Sequence, residues 1–283
     1  MSQFAFSQVD VFGSRPLSGN PLAVVHAANG LTGEQMQSLA RWTGLSETTF
    51  LLPPADPAAD YHVRIFTPGG ELPFAGHPTL GSAHAWLQAG GQPKTEGEVV
   101  QECGVGLVRL RLRDGQWAFA APEVRKRPVE PDTLAAVMAA LGVSAGQVLR
   151  SQWLDNGPHW LALQLDSAAT VLALEPDHAA LRTLAKVGVV GAHPTGSDAA
   201  FEVRAFVAMV GIPEDPVTGS LNASLAQWLI AEGIAPLRYV AAQGQCVGAS
   251  GRVFLQQEGG TTWVGGQCAT VIHGEITLPF LAD

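Results

Sequence analysis

Short runs rich in β-branched and aromatic residues, separated by glycine, proline and small polar residues, set the pattern of this chain. Residues 4–12, 21–26, 48–52, 107–112, 160–165 and 201–209 read as strands. Helical periodicity falls between them. Thr32 with Gln35 forms a capping box, Met36, Leu39, Ala40 and Thr43 keep one face mostly apolar, and Gly44 is a stop signal. Leu134, Val137, Met138 and Leu141 trace a second amphipathic helix. Two more helices are predicted to begin at His77-Pro78 and Asp215-Pro216, with His77 or Asp215 as cap and the proline in the first turn. They run to about Ala89 and Ile230, where Gly90 and Gly233 end them. Their Gly-Ser-x-x-Ala surfaces, Gly81 to Ala85 and Gly219 to Ala223, are slim enough to sit deep against strands.

The pattern occurs twice. Val63-Arg64-Ile65-Phe66 is echoed by Val203-Arg204-Ala205-Phe206, 140 positions later (203 − 63). His77-Pro78-Thr79-Leu80-Gly81-Ser82-Ala83-His84-Ala85 lines up with Asp215-Pro216-Val217-Thr218-Gly219-Ser220-Leu221-Asn222-Ala223, 138 positions later (215 − 77). A weaker match pairs Pro21 with Pro158, 137 positions on (158 − 21). Such a period is too long for a solenoid and predicts a duplicated domain. The proline-rich, mixed-charge stretch 121–132 is the expected boundary, giving lobes at 1–122 and 123–270, with a final strand at about 271–283 returning to the first lobe.

Composition narrows the function classes. With 47% hydrophobic and 14% charged residues, 32 Gly and 19 Pro, the chain reads as folded and turn-rich. A net charge of −9, with Arg125-Lys126-Arg127 as the longest basic run, argues against nucleic acid. No apolar stretch is long enough to span a bilayer, and the N-terminal residues lack a basic region followed by an apolar core. The expectation is a cytoplasmic protein. Cys103, Cys246 and Cys268 are odd in number and widely spaced, so neither a disulfide framework nor a zinc site is predicted, and Cys103 reads as a strand cysteine. The histidines show no ligand pairing, so no metal is expected. Nucleophile-elbow, phosphate-loop and dinucleotide fingerprints are missing from the sequence.

Carboxylates remain as candidate chemistry. The residues alone leave Glu47 open between two readings. It is either a partly desolvated acid/base group, on one strand face with Thr49 and Leu51, or a solvated or capping glutamate at a helix-to-strand turn. A shift of about 141 positions, the repeat offset, takes Glu47 to the run Val187-Gly188-Val189-Val190, which holds no acid or thiol. Asn20 either bonds a substrate or shapes the turn before Pro21. His77 and Asp215 are helix caps, polar site groups, or both.

Four motifs carry a resemblance: Ser18-Gly19-Asn20-Pro21; Leu45-Ser46-Glu47-Thr48; Phe74-Ala75-Gly76-His77-Pro78-Thr79-Leu80-Gly81-Ser82-Ala83; and Gly211-Ile212-Pro213-Glu214-Asp215-Pro216-Val217-Thr218-Gly219-Ser220. In this order, with Gly265-Gly266 in the C-terminal region, they resemble the PhzF-like family of phenazine-biosynthesis isomerases over nearly the whole chain. The resemblance implies an α+β fold like that of diaminopimelate epimerase. That fold has two pseudo-symmetric lobes, each a curled, mostly antiparallel sheet around a central helix, with the active site between them. It puts the catalytic glutamate at Glu47 and brings His77 and Asp215 into the site. It makes Asn20, Ser46, Gly76, Gly219 and Ser220 substrate-binding, the helix starts offering N–H groups to a carboxylate. Where the epimerase carries its two thiols, this chain has Ala75-Gly76-His77 and Glu214-Asp215.

The implied activity is cofactor-independent proton transfer within a small cyclic or unsaturated carboxylic acid, by a homodimer. Arg64 and Arg204 are expected to be mainly structural. A two-base epimerase or racemase and a non-catalytic small-molecule-binding homologue are the alternatives.

Overall fold

The computed structural model describes residues 2–278. It divides into two compact units, the first running to Ala120 and resuming at Gly265, the second covering Ala121–Val264. Residues 279–283, the tail of the expected final strand, lie outside the described residues.

In the first unit the strands are β1 (Ser2–Val11), β2 (Asn20–Val25), β3 (Glu47–Leu52), β4 (Tyr61–Thr67), β5 (Gly70–Leu72), β6 (Glu98–Cys103), β7 (Gly106–Arg113) and β8 (Gln116–Ala120). β1 pairs antiparallel with both β2 and the C-terminal strand Cys268–Leu278. β2 and β3 are parallel, β3 and β4 antiparallel, and β4 takes β5 antiparallel and β6 parallel. The meander β6, β7, β8 completes the sheet. Helix α1 (Gly33–Thr43) has the expected reciprocal cap between Thr32 and Gln35, and Gly44 ends it at φ 65°. Its Met36, Leu39 and Ala40 bury against Val25, Phe50 and Phe66. Burial of that kind contributes about 1.5–3 kcal/mol for each large side chain.

Helix α2 (Gly76–Gln88) is buried along most of its length and touches β1, β2, β3, β6, β8 and the C-terminal strand, so the sheet wraps around it. Its small residues permit this depth. A Cβ on Gly81 would stand 2.6 Å from Leu22 Cδ2 and 2.8 Å from Val11 Cγ2.

The second unit contains β9 (Arg125–Arg127), helix α3 (Pro131–Leu141), β10 (Val148–Asp155), β11 (His159–Leu165), the short helices α4 (Ala168–Leu172) and α5 (His178–Leu181), β12 (Val187–Ala192), β13 (Phe201–Phe206), β14 (Glu214–Asp215), helix α6 (Gly219–Ala231), β15 (Arg238–Gln243), β16 (Gly251–Glu258) and β17 (Thr261–Gly265). β10 and β11 are antiparallel, β11 and β12 parallel, β12 and β13 antiparallel; β13 takes β14 antiparallel and β15 parallel, and β15 pairs antiparallel with β16. The order of parallel and antiparallel pairings from β1 to β7 thus recurs from β10 to β16. The apolar face of α3 packs Val137 and Leu141 onto Leu161, Leu163, Val187 and Val189. α6 is also deeply buried, and a Cβ on Gly188 of β12 would lie 2.3 Å from Leu221 Cδ1.

Two local expectations need correction. The strand expected over 201–209 ends at Phe206, and a 3-10 turn, Ala208–Val210, follows, closed by Gly211 at φ 91°. Neither His77 nor Asp215 caps its helix. His77 is the second residue of α2, whose flanking residue is Ala75, and no side chain caps that end. Pro78 is tolerated one position later because the first N–H groups of a helix have no intrahelical acceptor to lose. Asp215 is held in an antiparallel bridge opposite Ala205, so α6 starts only at Gly219, after Thr218.

Candidate active site

Gly44 ends α1 in the left-handed region, and two residues, Leu45 and Ser46, turn the chain into β3 with Glu47 as its first residue. Alternation along the strand puts Glu47 on one face with Thr49 and Leu51. That face meets α2, because Ser82 Oγ donates to Thr49 Oγ1 at 2.9 Å and His77 Nδ1 lies 3.5 Å from Glu47 Oε2. The spacing agrees. Two strand residues advance about 6.6 Å and five helical residues about 7.5 Å, so the two contacts fall in step. The Glu47 side chain is 16% exposed and that of His77 4%.

Burial lowers the His77 pKa to about 3, a hydrogen bond with the Pro21 backbone offsetting only part of the effect. Proline has no N–H, so the ring donates to the carbonyl. At neutral pH His77 is therefore an uncharged imidazole, and its contact with Glu47 is a polar approach rather than an ion pair. Nε2 is buried with no hydrogen-bond partner among the described residues.

Asn20, fully buried, opens β2 opposite Val11. Asp10, which the sequence reading did not single out, shapes the turn leading to it. Its carboxylate accepts from Ser18 N at 3.1 Å and Gly19 N at 2.8 Å. Gly19 is sterically required, since a Cβ there would sit 2.1 Å from Val11 O. The signal available in the sequence was an aspartate closing a Gly-bracketed turn just before Asn20. Ser46 is half-buried in the turn before Glu47, and Gly76 is the buried first residue of α2. The first unit thus brings Glu47 and His77 into contact, with Pro21, the neighbour of Asn20, bonded to the same imidazole.

In the second unit Asp215 follows Glu214, which Arg204 holds with two bonds, Nε to Oε1 at 3.0 Å and Nη2 to Oε2 at 2.8 Å. Arg204 Nη1 also donates to the carbonyls of Val171 (3.2 Å) and Leu174 (2.8 Å). The echo in the first unit is Arg64, paired in two bonds with Glu71 and lying over Phe66 as Arg204 lies over Phe206. Both arginines are thus committed to structure. Asp215 Oδ2 accepts from Thr218 Oγ1 at 2.5 Å, and the Asp215 carbonyl accepts from Gln243 Nε2 at 3.1 Å. Gly219 and Ser220 open α6; Ser220 Oγ accepts from Trp160 Nε1 at 3.3 Å, and its carbonyl accepts from Asn156 Nδ2 at 3.0 Å. In the register of the parallel pair β2/β3, Glu47 stands beside Leu22; in β11/β12, Val187 stands beside Leu161. The Arg-x-Phe repeat sets the equivalence: Thr48 stands opposite Phe66 and Val187 opposite Phe206, so Val187 answers Thr48 and the position answering Glu47 is Lys186.

Among the described residues no three His, Cys, Asp or Glu side chains cluster as a metal site, and no helix is long and apolar enough to cross a membrane.

The family model for phenazine biosynthesis-like proteins, PhzC-PhzF, matches residues 9–274. A Pseudomonas aeruginosa protein named trans-2,3-dihydro-3-hydroxyanthranilate isomerase is 35% identical over 89% of this chain and 89% of its own length. A Schizosaccharomyces pombe protein named antisense-enhancing sequence 1 is 35% identical over 97% of this chain and 99% of its own. Among solved structures, a predicted epimerase from Pseudomonas aeruginosa superposes with a TM-score of 0.80 at 29% identity, covering 97% of this chain and 99% of that one.

Proposed function

Because the chain belongs to the phenazine biosynthesis-like family and is an isomerase, we propose that it moves a proton between two carbons of a small cyclic or unsaturated carboxylic acid, with Glu47 as the acid/base group and no cofactor. The carboxylate of Glu47 takes a proton from one carbon, the electron pair left behind enters the conjugated system, and the Glu47 carboxyl returns the proton to another carbon. The substrate formula is unchanged and the carboxylate is regenerated.

The observation that carries this reading is the half-buried Glu47 carboxyl facing a buried, neutral imidazole. A protonated histidine at that position would hold Glu47 as a paired anion and weaken it as a base; a neutral one does not. In this reading His77 orients the carboxyl, Asp215 is a third catalytic group contributed by the second unit, and Asn20, Ser46, Gly76, Gly219 and Ser220 bind the substrate. Uncapped helix starts suit a carboxylate. A two-base racemase built on the duplication would need a second acid or thiol at the position answering Glu47; that position holds Lys186, which is neither, and this favours Glu47 as the single carboxyl base. The matching strand orders of the units support descent by duplication. The proposal includes a cytoplasmic homodimer that meets neither nucleic acid nor membrane. Sedimentation of the purified protein checks the dimer.

Glu47→Gln keeps the size and hydrogen bonding of the side chain but removes the exchangeable proton. General acid/base assistance contributes about 10²–10⁴-fold, so turnover of a conjugated carboxylate, first the compound named for the Pseudomonas relatives, should fall by that order. Melting temperature and substrate affinity should change far less. Near-normal turnover in the variant would refute the assignment, and equal loss of binding and rate would reduce Glu47 to a positioning role.

A further inference from the structure

The hydrogen-bond directions around Asp215 admit one solution. Thr218 O only accepts, so the atom of Asn222 that bonds it at 2.9 Å is Nδ2. The backbone N–H of Thr218 only donates, so the Gln243 atom that meets it at 3.0 Å is Oε1, which also accepts from Asn222 Nδ2 at 2.8 Å. Gln243 Nε2 is then a donor, to Asp215 O at 3.1 Å and to Thr218 Oγ1 at 3.0 Å. With a donor already directed at its oxygen, the Thr218 hydroxyl sends its own proton to Asp215 Oδ2. Gln243 and Asn222 are buried, and Gly244, at φ 101°, packs so tightly that a Cβ would lie 2.5 Å from Pro216 O. The end of β15 is thereby fixed against the segment that carries Asp215.

The first unit also ties a glutamine to a threonine, at positions that do not line up with Gln243 and Thr218. Buried Gln101 donates through Nε2 to Thr79 Oγ1 at 3.1 Å, and the Thr79 hydroxyl donates to the Ala75 carbonyl at 2.9 Å. A glutamine-to-threonine tie at a helix start is thus a structural device in one unit. In the other its hydroxyl is turned onto an acid.

We infer that Gln243, acting through Thr218, is a positioning residue that holds the Asp215 side chain in one rotamer with Oδ2 as an acceptor. This rests on the reading of Asp215 as a site residue. The test uses the full-length protein with Thr218→Val, Thr218→Ser, Gln243→Leu and Asp215→Asn. Crystal structures of the threonine and glutamine variants read the positioning directly. Asp215 should keep its rotamer in Thr218→Ser and lose it in Thr218→Val and Gln243→Leu. An unchanged Asp215 side chain in Thr218→Val would overturn the inference whether or not a substrate is in hand.

Turnover of trans-2,3-dihydro-3-hydroxyanthranilate supplies the second arm. Thr218→Val should lower kcat about 10-fold or more with KM little changed, Thr218→Ser should restore most of it, and Thr218→Val should add nothing in the Asp215→Asn background. An independent, additive loss there would also overturn it, because a fold defect does not depend on Asp215. If Asp215 loses its rotamer in Thr218→Val while Asp215→Asn turns over normally, the positioning stands and it is the catalytic reading of Asp215 that fails.

Discussion

Removing Arg204 tests how strongly burial governs an ion pair, because the chain carries the same bidentate Arg–Glu arrangement at two depths. Arg204 and Glu214 expose 6% and 3% of their side chains, whereas Arg64 and Glu71 expose 29% and 42%. Breaking a buried pair from one side leaves an uncompensated charge and costs about 3–5 kcal/mol, while an exposed pair is worth about 0–1 kcal/mol. Arg204→Met also abandons the carbonyls of Val171 and Leu174, which places it toward the upper end. Arg64→Met should cost no more than about 1 kcal/mol, since its partner stays in water. Equilibrium urea unfolding of the two variants reads the contrast directly. The double replacement Arg204→Met with Glu214→Leu should recover much of the loss, because no charge is then left buried. Equal losses for Arg204→Met and Arg64→Met, or no recovery in the double variant, would refute the reasoning.

His77 gives a pH signature. Its folded pKa, about 3, lies below the unfolded value of 6.5, so only the unfolded chain gains a proton between those values. The contribution is complete above pH 6.5 and declines as pH falls toward 3, by about 2 kcal/mol at pH 5; His77→Gln should flatten that part of the stability profile in urea titrations, and an unaltered profile would contradict it. Gly81→Ala should gain about 1 kcal/mol in helix propensity and lose about 1–3 kcal/mol to overpacking against Leu22 and Val11. A lower melting temperature is expected, and a stabilised variant would show that α2 has room to spare.

Local signals were legible where they depend on a residue and its near neighbours. The Thr32–Gln35 box, the stop at Gly44, and the slim faces of α2 and α6 could be read directly, because capping, left-handed φ and close packing are properties of the residue itself. The repeat pointed to β4 and β13, whose Arg-x-Phe segments carry matching cation–π contacts. The capping roles of His77 and Asp215 were misread for a non-local reason. Asp215 is taken by the β13 bridge and by Thr218, and His77 is drawn inward toward Glu47. Asp10 and Gln243 escaped notice because their partners lie 8 to 28 residues away. No periodicity announces such pairings.

The two units keep the same order of strand pairings and diverge in what their polar residues do. Just before the residue that faces the shared phenylalanine, Thr48 in one unit and Val187 in the other, the first unit has Glu47 and the second Lys186. The arginine tie is exposed in one and buried in the other, where it fixes the residue preceding Asp215. Near the helix starts, Thr79 answers a carbonyl in one unit and Thr218, at a position that does not line up with it, a carboxylate in the other. Stability alone would not require the differences at the arginine and threonine ties, since each of those satisfies its own hydrogen bonds. They matter for chemistry. A pair of equivalent acids would suit proton delivery from opposite faces, whereas an acid in one unit with no acid or thiol at its counterpart suits a proton that leaves and returns through the same carboxyl. A single base of this kind should carry part of the abstracted hydrogen to the product carbon, in competition with exchange into solvent. Retention of label is therefore the outcome expected from the asymmetry between Glu47 and Lys186.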